Sequence, residues 1–349
     1  MSLHNIQQFL NDNPDYPSQL KQKGFKIRSY KGLKIISASY HQAIDFEYSE
    51  YLRGLVVNTE NKIVCIPPQK AIKGDDIDRD DPYYEELIDG TMINLFCVND
   101  EWIISTRTEI GGYNKWGQNK SFKMLFDESR NFSYDELNPE YCYSFVMRHV
   151  ENRNIAPIEK NEVYLVEMYH LKNDFMNRVM YEDYPKCFSK VGRVKGKDQM
   201  MDLLNRSQYI KGYTWKMNDK RYNIANRDFE TIKKIHVNKN NICLTYLELR
   251  KNGNLKEYLK YFPENSKIFE GYRNKIHVLS NDIYSTYKDV FIYKKIERKD
   301  IPYHIKPFVY EIHKKYLESK EAIKWSDIKD YIYHLESGRI YFSLNHSNY

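Results

Sequence analysis

Phe269, Tyr272, Ile276, Leu279, Ile283, Tyr287 and Val290 follow one another at intervals of three or four residues. That spacing lines one face of an α-helix and fits no strand, whose side chains repeat every two residues. It divides the chain. Upstream, the apolar residues fall into short β-branched and aromatic runs broken by turns: Leu52–Val57, Lys62–Ile66, Thr91–Val98, Glu101–Ser105, Tyr141–Met147, Val163–Tyr169 and Tyr213–Met217 read as strands by length and residue type. Asn99-Asp100 is a hairpin turn between two of them, so an antiparallel sheet is expected. Helices are expected at Ile6–Asn11, Asp198–Asn205 and Asp228–Val237.

Beyond the long helix, Pro307 is placed to open a second helix carrying Phe308, Ile312 and Tyr316. Ser326 reads as the N-cap of a third, with Ile328, Tyr331, Ile332 and Leu335 inward and Gly338 as its stop. The expected organisation is α+β, an antiparallel-sheet domain over 1–265 followed by an all-helical domain over 266–349. The 349 residues fit two domains at roughly 100–200 residues each.

Composition narrows the class. Hydrophobic residues make up 41% and aromatics 15%, with 32 Tyr, which is enough for a core and excludes a disordered chain. No stretch approaches the ~20 apolar residues that span a bilayer. The start, MSLHNIQQFL, lacks a signal peptide's basic and apolar regions, so an intracellular protein without a membrane partner is expected. Cys65, Cys97, Cys142, Cys187 and Cys243 are odd in number and far apart, with no C-x-x-C pair; they read as reduced core residues and not as a disulfide or zinc framework.

Charge is unevenly spread. Lys186 to Lys239 carries fourteen Lys/Arg against five Asp/Glu, whereas Asp75 to Glu101 carries ten acids and one Arg. The basic stretch suits a polyanion, because each phosphate neutralised releases counterions; a solvated surface with drift toward Lys explains it equally well. Asp75-Asp76, Asp78 and Asp80-Asp81 lack the glycine and terminal glutamate of a calcium loop and read as a solvated acidic loop. His149 and His170 have no companions at ligand spacing and read as structural.

Four segments carry the most chemistry: Leu87-Ile88-Asp89-Gly90, Ser144-Phe145-Val146-Met147-Arg148, Lys211-Gly212-Tyr213-Thr214-Trp215-Lys216 and Arg221-Tyr222-Asn223-Ile224-Ala225. In order and approximate spacing they resemble the motifs of phage-type, tRNA-repair RNA ligases and their relatives in large DNA viruses. Tyr51–Val56 and Ile66–Lys70 resemble that family's upstream R-G strand and F-P-x-x-K segment. The resemblance implies a nucleotidyltransferase fold with a helical appendage, and it departs from the family where the chemistry lies. Leu87 occupies the place of the lysine nucleophile and Val146 that of a glutamate; Lys211 stands for a metal-binding glutamate, and Asn223 and Ala225 stand for the two lysines of the last motif, while Asp89 is retained. Leucine cannot form a phosphoramidate, and a covalent step without a nucleophile loses its mechanism.

No catalytic residue, metal or cofactor is therefore expected. Arg53, Arg107, Arg148, Arg153, Lys211, Lys216 and Arg221 are candidates for a polyanion surface, with Trp116, Tyr213 and Trp215 as stacking faces. For each of them alone a structural role is the more ordinary one. The expected function is a catalytically inactive, RNA-ligase-like protein binding RNA or a capped mRNA 5′ end, within a viral complex for RNA repair, capping or translation initiation, in host cytoplasm or a viral factory. A protein–protein scaffold and an active ligase with displaced residues are the alternatives.

Overall fold

The computed structural model describes residues 3–38, 44–74, 83–117, 119–172, 175–217, 220–237 and 239–346. The acidic segment Asp75–Asp81 lies outside them. The chain is α+β and divides into two compact units, Met1–Thr231 and Ile232–Tyr349.

In the first unit, helices α1 (Leu3–Asp12) and α2 (Tyr16–Gln22) precede an antiparallel sheet of β1 (Phe25–Tyr30), β2 (Leu33–Ala38), β3 (Arg53–Val57) and β4 (Ile63–Cys65), paired in that order. Ile6 and Leu10, one helical turn apart, join Leu20, Ile36, Leu55 and Val56 in its core. The chain then runs through β5 (Ile72–Lys73), β6 (Tyr83–Glu86), β7 (Thr91–Val98), β8 (Glu101–Ser105), α3 (Phe122–Ser129), β9 (Tyr141–Arg148), β10 (Glu162–Lys172), β11 (Phe175–Arg178), β12 (Ser189–Lys190), β13 (Arg193–Lys195), α4 (Lys197–Arg206), β14 (Gly212–Met217) and β15 (Lys220–Ala225). A second sheet has the order β11-β10-β9-β7-β8, with β12 parallel to β10; a third has the order β13-β6-β14-β15-β5.

The strands read from the sequence are present, and Thr91–Val98 and Glu101–Ser105 match end to end. Asn99 and Asp100 take φ of 51° and 60°, the left-handed pair of a tight hairpin turn. Phe126 of α3 packs on Phe132 and Phe145 to seal one face of the second sheet. On the third sheet, Tyr213 and Trp215 of β14 face α4, where they pack with Tyr84, Met200, Leu204 and Ile224.

Helix α5 (Arg227–Ile235) crosses the division between the units. The second unit contains α6 (Ile242–Lys251), α7 (Leu255–Tyr261), α8 (Ser266–Tyr287), α9 (Lys306–Ser319), α10 (Trp325–His334) and α11 (Ser337–His346). Phe269, Ile276, Leu279, Ile283 and Tyr287 are buried along α8, and the helix continues as one π-turn over Lys288–Ile292 that buries Val290. The division lies earlier than position 265/266, because α6 and α7 pack with α8: Tyr246 and Tyr258 both meet the ring of Phe269. Pro307 stands in the first turn of α9. Ser326 is not an N-cap, since α10 begins one residue before it and Lys324 occupies the cap, its N–H donating to Asp327 Oδ2 at 2.7 Å. Gly338 does not stop a helix either; α10 ends at His334 and Gly338 lies within α11.

Among the cysteines, Cys65, Cys142 and Cys243 are buried and free, but Cys97 is half-buried and Cys187 exposed, so the core reading fails for those two. Among the described residues no helix is long and apolar enough to cross a membrane.

Candidate functional site

The second and third sheets of the first unit enclose a cleft of about 200 Å³ lined by residues of all four motif-like segments: Leu87, Ile88 and Gly90, Val146, Lys211 and Thr214, and Arg221. Strand pairing explains how segments so distant in sequence meet. Tyr213 pairs with Glu86 and the Leu87 N–H donates to Gly212 O at 2.9 Å, which sets Lys211 beside the end of β6. Met92 pairs with Val146, which places the β7 entry against β9. Gly90 has no room for a side chain, because a Cβ there would come within 2.4 Å of Met147 O and 2.8 Å of Val146 Cγ1.

The floor is apolar. Val146, Val166 and Val191 form a buried cluster against which Ile88 and Met92 pack. Val146 is 7% exposed, so the position read as a lost glutamate holds a hydrocarbon in a hydrocarbon setting. Asp89 does not face this floor; its Oδ2 accepts the N–H groups of Ile155 and Ala156 at 2.8 and 2.9 Å, tying the loop after β9 to the β6–β7 connection. Asn152 donates to Thr91 Oγ1 at 2.7 Å and reinforces the same tie.

The cleft's charges are largely paired with one another. Lys216 Nζ lies 3.6 Å from Glu85 Oε2 and 3.7 Å from Glu167 Oε2, and its side chain is 13% exposed. Glu167 is fully buried, its Oε1 accepting from Tyr169 Oη at 2.8 Å. Desolvation pushes this carboxyl up, but Lys216, Arg221, Arg178 and the Tyr169 hydroxyl together outweigh it and hold the group below its ordinary value. A register shift between Leu165 and Glu167 breaks the alternation of β10 here, next to a residue that a regular strand would orient differently. Arg221 Nε donates to Thr214 Oγ1 at 3.1 Å. At the rim, burial raises the Glu86 carboxyl despite the nearby Arg148.

The residues singled out from the sequence are thus separated. Lys211 and Arg221 line the cleft, Lys216 lies behind its wall, and Arg148 stands near Glu86 while donating to Pro157 O at 2.5 Å. Asn223 shares the Arg221 side of β15 by strand alternation, and Ala225 is exposed two residues on. Tyr213 and Trp215 are not stacking faces of this cleft. Both are 2% exposed, on the opposite side of β14, with Trp215 between Tyr84 and Tyr222. Arg53 belongs to β3 of the first sheet and Arg107 donates to Ala38 O at 3.3 Å. Arg153 is folded onto Ile155 O by Nε and Nη2. Trp116 is half exposed in the loop after β8. The carboxylates Glu85, Glu86 and Glu167 were missed; the only sequence signal for Glu167 is an acid inside the apolar run Val163–Tyr169.

Contrary to its reading as an isolated histidine, His149 has two carboxylates near it: ligand atoms of Glu128, His149 and Glu151 lie within 4.8 Å of one another. The place of a cation is taken by Lys120, whose Nζ reaches Glu128 Oε2 at 2.8 Å and Glu151 Oε1 at 2.6 Å. His149 Nδ1 accepts the Glu151 N–H at 3.1 Å while Nε2 faces Glu128 Oε2 at 3.0 Å, so the ring works as a brace between α3 and the end of β9.

No family model matches the chain. The protein described as "Immediate-early protein ICP-46 homolog", from Invertebrate iridescent virus 3, is 25% identical over 217 residues, covering 57% of this chain and 47% of that protein; the chain therefore spans about half the length of the curated relative it matches. Among solved structures, two forms of an archaeal ATP-dependent RNA ligase are similar at TM-scores of 0.49 and 0.47, each with 10% identity over 78% of this chain and 74% of theirs. An RNA ligase of Naegleria gruberi with PPi is similar at a TM-score of 0.34, with 11% identity over 64% of this chain and 83% of its own.

Proposed function

We propose that the protein is a catalytically inactive, RNA-ligase-like RNA-binding protein, acting as a subunit of a viral RNA-handling complex. The observation that carries this reading is the convergence of Leu87, Val146, Lys211 and Arg221, from four motif-like segments, on one cleft. The nucleophile's place is filled by an alkyl side chain and a glutamate's place by part of an apolar floor, so the two motif positions themselves offer no group for covalent transfer, which supports this reading. Its charge points the same way. Two carboxylates, Glu85 and Glu86, line the cleft with two cations, Lys211 and Arg221, while Lys216 pairs with Glu167 behind its wall, a balance that leaves little excess to neutralise a triphosphate. An RNA chain, with one phosphodiester charge per base, suits it better. The iridescent-virus relative supports the viral setting; a capped 5′ end is the finer version of the same proposal.

Incubation with α-labelled ATP or GTP and magnesium, followed by denaturing electrophoresis, tests the inactivity: no labelled protein is expected, and a label mapped to Lys211, whose amine shares the cleft with Leu87, would replace this reading with a ligase of displaced nucleophile. Fluorescence anisotropy with capped and uncapped RNA across salt tests binding. Absence of binding at low salt would leave the scaffold reading, which draws on exposed aromatics of the second unit such as Tyr303, 77% exposed, and Tyr293, 56% exposed.

A further inference from the structure

Apart from the cleft, the first sheet of the same unit carries a second pocket of about 360 Å³, lined by Arg28, Tyr30, Ile35, Glu109, Ile110 and Tyr113. We propose that this pocket receives an unpaired base of single-stranded RNA, stacked on Tyr113, with Arg28 and Lys31 meeting the flanking phosphates; the inference rests on the reading that the chain binds RNA.

The aromatic face is exposed and held in place. Tyr113 is 55% exposed, yet its ring lies against the backbone of Gly111, where a Cβ would come within 2.4 Å of Cε2 and where φ is +88°. Only glycine allows a ring to rest so close. The Tyr30 and Tyr113 centroids are 6.2 Å apart at 48°, and a hydrogen bond between the two phenols holds the pair together. An exposed platform with two soft χ angles already fixed loses little entropy when a base stacks on it.

The surrounding charges are exchangeable. Arg28 Nη1 donates to Thr108 O at 3.3 Å and lies 4.0 Å from Glu109, with 57% of its side chain exposed. Lys31 sits 5.6 Å from the Tyr30 ring centre and pairs with Glu101 at 3.6 Å, both side chains about 60% exposed. Exposed pairs of this kind contribute little in water, so either cation can turn to a phosphate at small cost. Lys26 lies two residues before Arg28 on β1, which is an edge strand, and is also exposed. Glu109, at the pocket wall, can only accept hydrogen bonds; it offers an acceptor to a base N–H and repels phosphate, which favours base-in, backbone-out orientation. Lys26, Arg28 and Tyr30 on one face of the edge strand, with Lys31 and Tyr113 beside them, combine cations with aromatic faces in the way that holds single strands without reading their sequence.

The test uses the full chain and fluorescein-labelled oligouridylate. The double variant Tyr30→Ala/Tyr113→Ala should bind about 5- to 150-fold more weakly, as expected for one lost base stack, with the salt slope unchanged because no phosphate contact is removed. Tyr30→Phe/Tyr113→Phe keeps both rings and should bind as the wild type does. Ultraviolet crosslinking of the wild type to 5-iodouridine RNA should map to Tyr30 or Tyr113, a readout independent of any variant's folding. If the wild type binds RNA, but the alanine pair binds equally well and crosslinks fall only in the cleft, the pocket is not the base site and the RNA-binding reading stands. If the wild type does not bind at low salt, both fall together.

Discussion

Replacing Lys216 by Met tests whether the cation behind the cleft wall serves the fold. The ammonium lies 3.6 and 3.7 Å from two carboxylates whose side chains are 11% and 2% exposed. At an effective dielectric of 20 each contact corresponds to about 4–5 kcal/mol of Coulomb energy, much of it offset by the desolvation of all three groups; removing one partner of such a cluster costs ~3–5 kcal/mol. Arg178 and Arg221 continue to act on Glu167, so about 3 kcal/mol is expected. The assay is urea unfolding by tryptophan fluorescence in a Trp325→Phe background, where Trp102, Trp116 and Trp215 all report on the first unit. The pH dependence carries a sign. In the wild type Glu167 is held below the ordinary 4.5, so its contribution to stability is present above that value and is lost as pH falls through the lower folded value. In Lys216→Met the largest lowering contribution is lost while desolvation stays, so the carboxyl rises from its wild-type folded value and the stability gained from its ionised form diminishes. The difference between the two proteins should therefore be largest at neutral pH and shrink in acid, and the same Lys216→Met change made in a Glu167→Gln background, compared with Glu167→Gln alone, should lose that share of the shrinkage. A Lys216→Met protein as stable as the wild type at pH 7, or a deficit flat with pH, would refute the reasoning.

Three further outcomes follow from the same geometry. Lys211→Glu reverses a cleft-lining cation and should weaken RNA binding while lowering the magnitude of the salt slope by about one to two units, since the reversal removes one contact and adds a repulsion; anisotropy at several salt concentrations reads both. Gly90→Ala places a Cβ 2.4 Å from Met147 O and should cost at least ~1–3 kcal/mol through forced backbone shifts, measured by urea unfolding. Asp89→Ala removes the acceptor of two backbone N–H groups and should cost about 2–3 kcal/mol, with hydrogen exchange at Ile155 and Ala156 speeding up before the rest of the unit changes.

The parts of the fold legible in the sequence are those where one local signal decides. The three-four spacing of α8 and the apolar runs of β7, β8 and β9 needed no tertiary information. Strands such as β1, where exposed Lys26 and Arg28 alternate with Phe25 and Ile27, escaped because an edge strand with one wetted face reads like a polar loop. The domain boundary escaped because α6 and α7 are short and Tyr-rich, and only packing on Phe269 assigns them. In the cleft, the motif positions were legible as positions; the direction of each side chain was not. Two residues of the same strand, Trp215 and Lys216, point to opposite faces, so a stretch nominated whole as a binding strand contributes only alternate residues to the cleft side.

That alternation bears on why a cation is held next to an apolar floor. Beside the apolar floor of Val146, Val166 and Val191, a fully buried carboxylate such as Glu167 must be matched from within, because water does not reach it. Lys216, held between Glu85 and Glu167, supplies that match and is withdrawn from phosphate binding by the same contacts. Lys211 and Arg221 remain toward the open side. A cleft so arranged separates a charge cluster behind its wall from two cations in front, and it makes the two experimentally separable: substitutions behind the wall should act on stability and its pH dependence, and substitutions in front on the salt dependence of the proposed RNA binding.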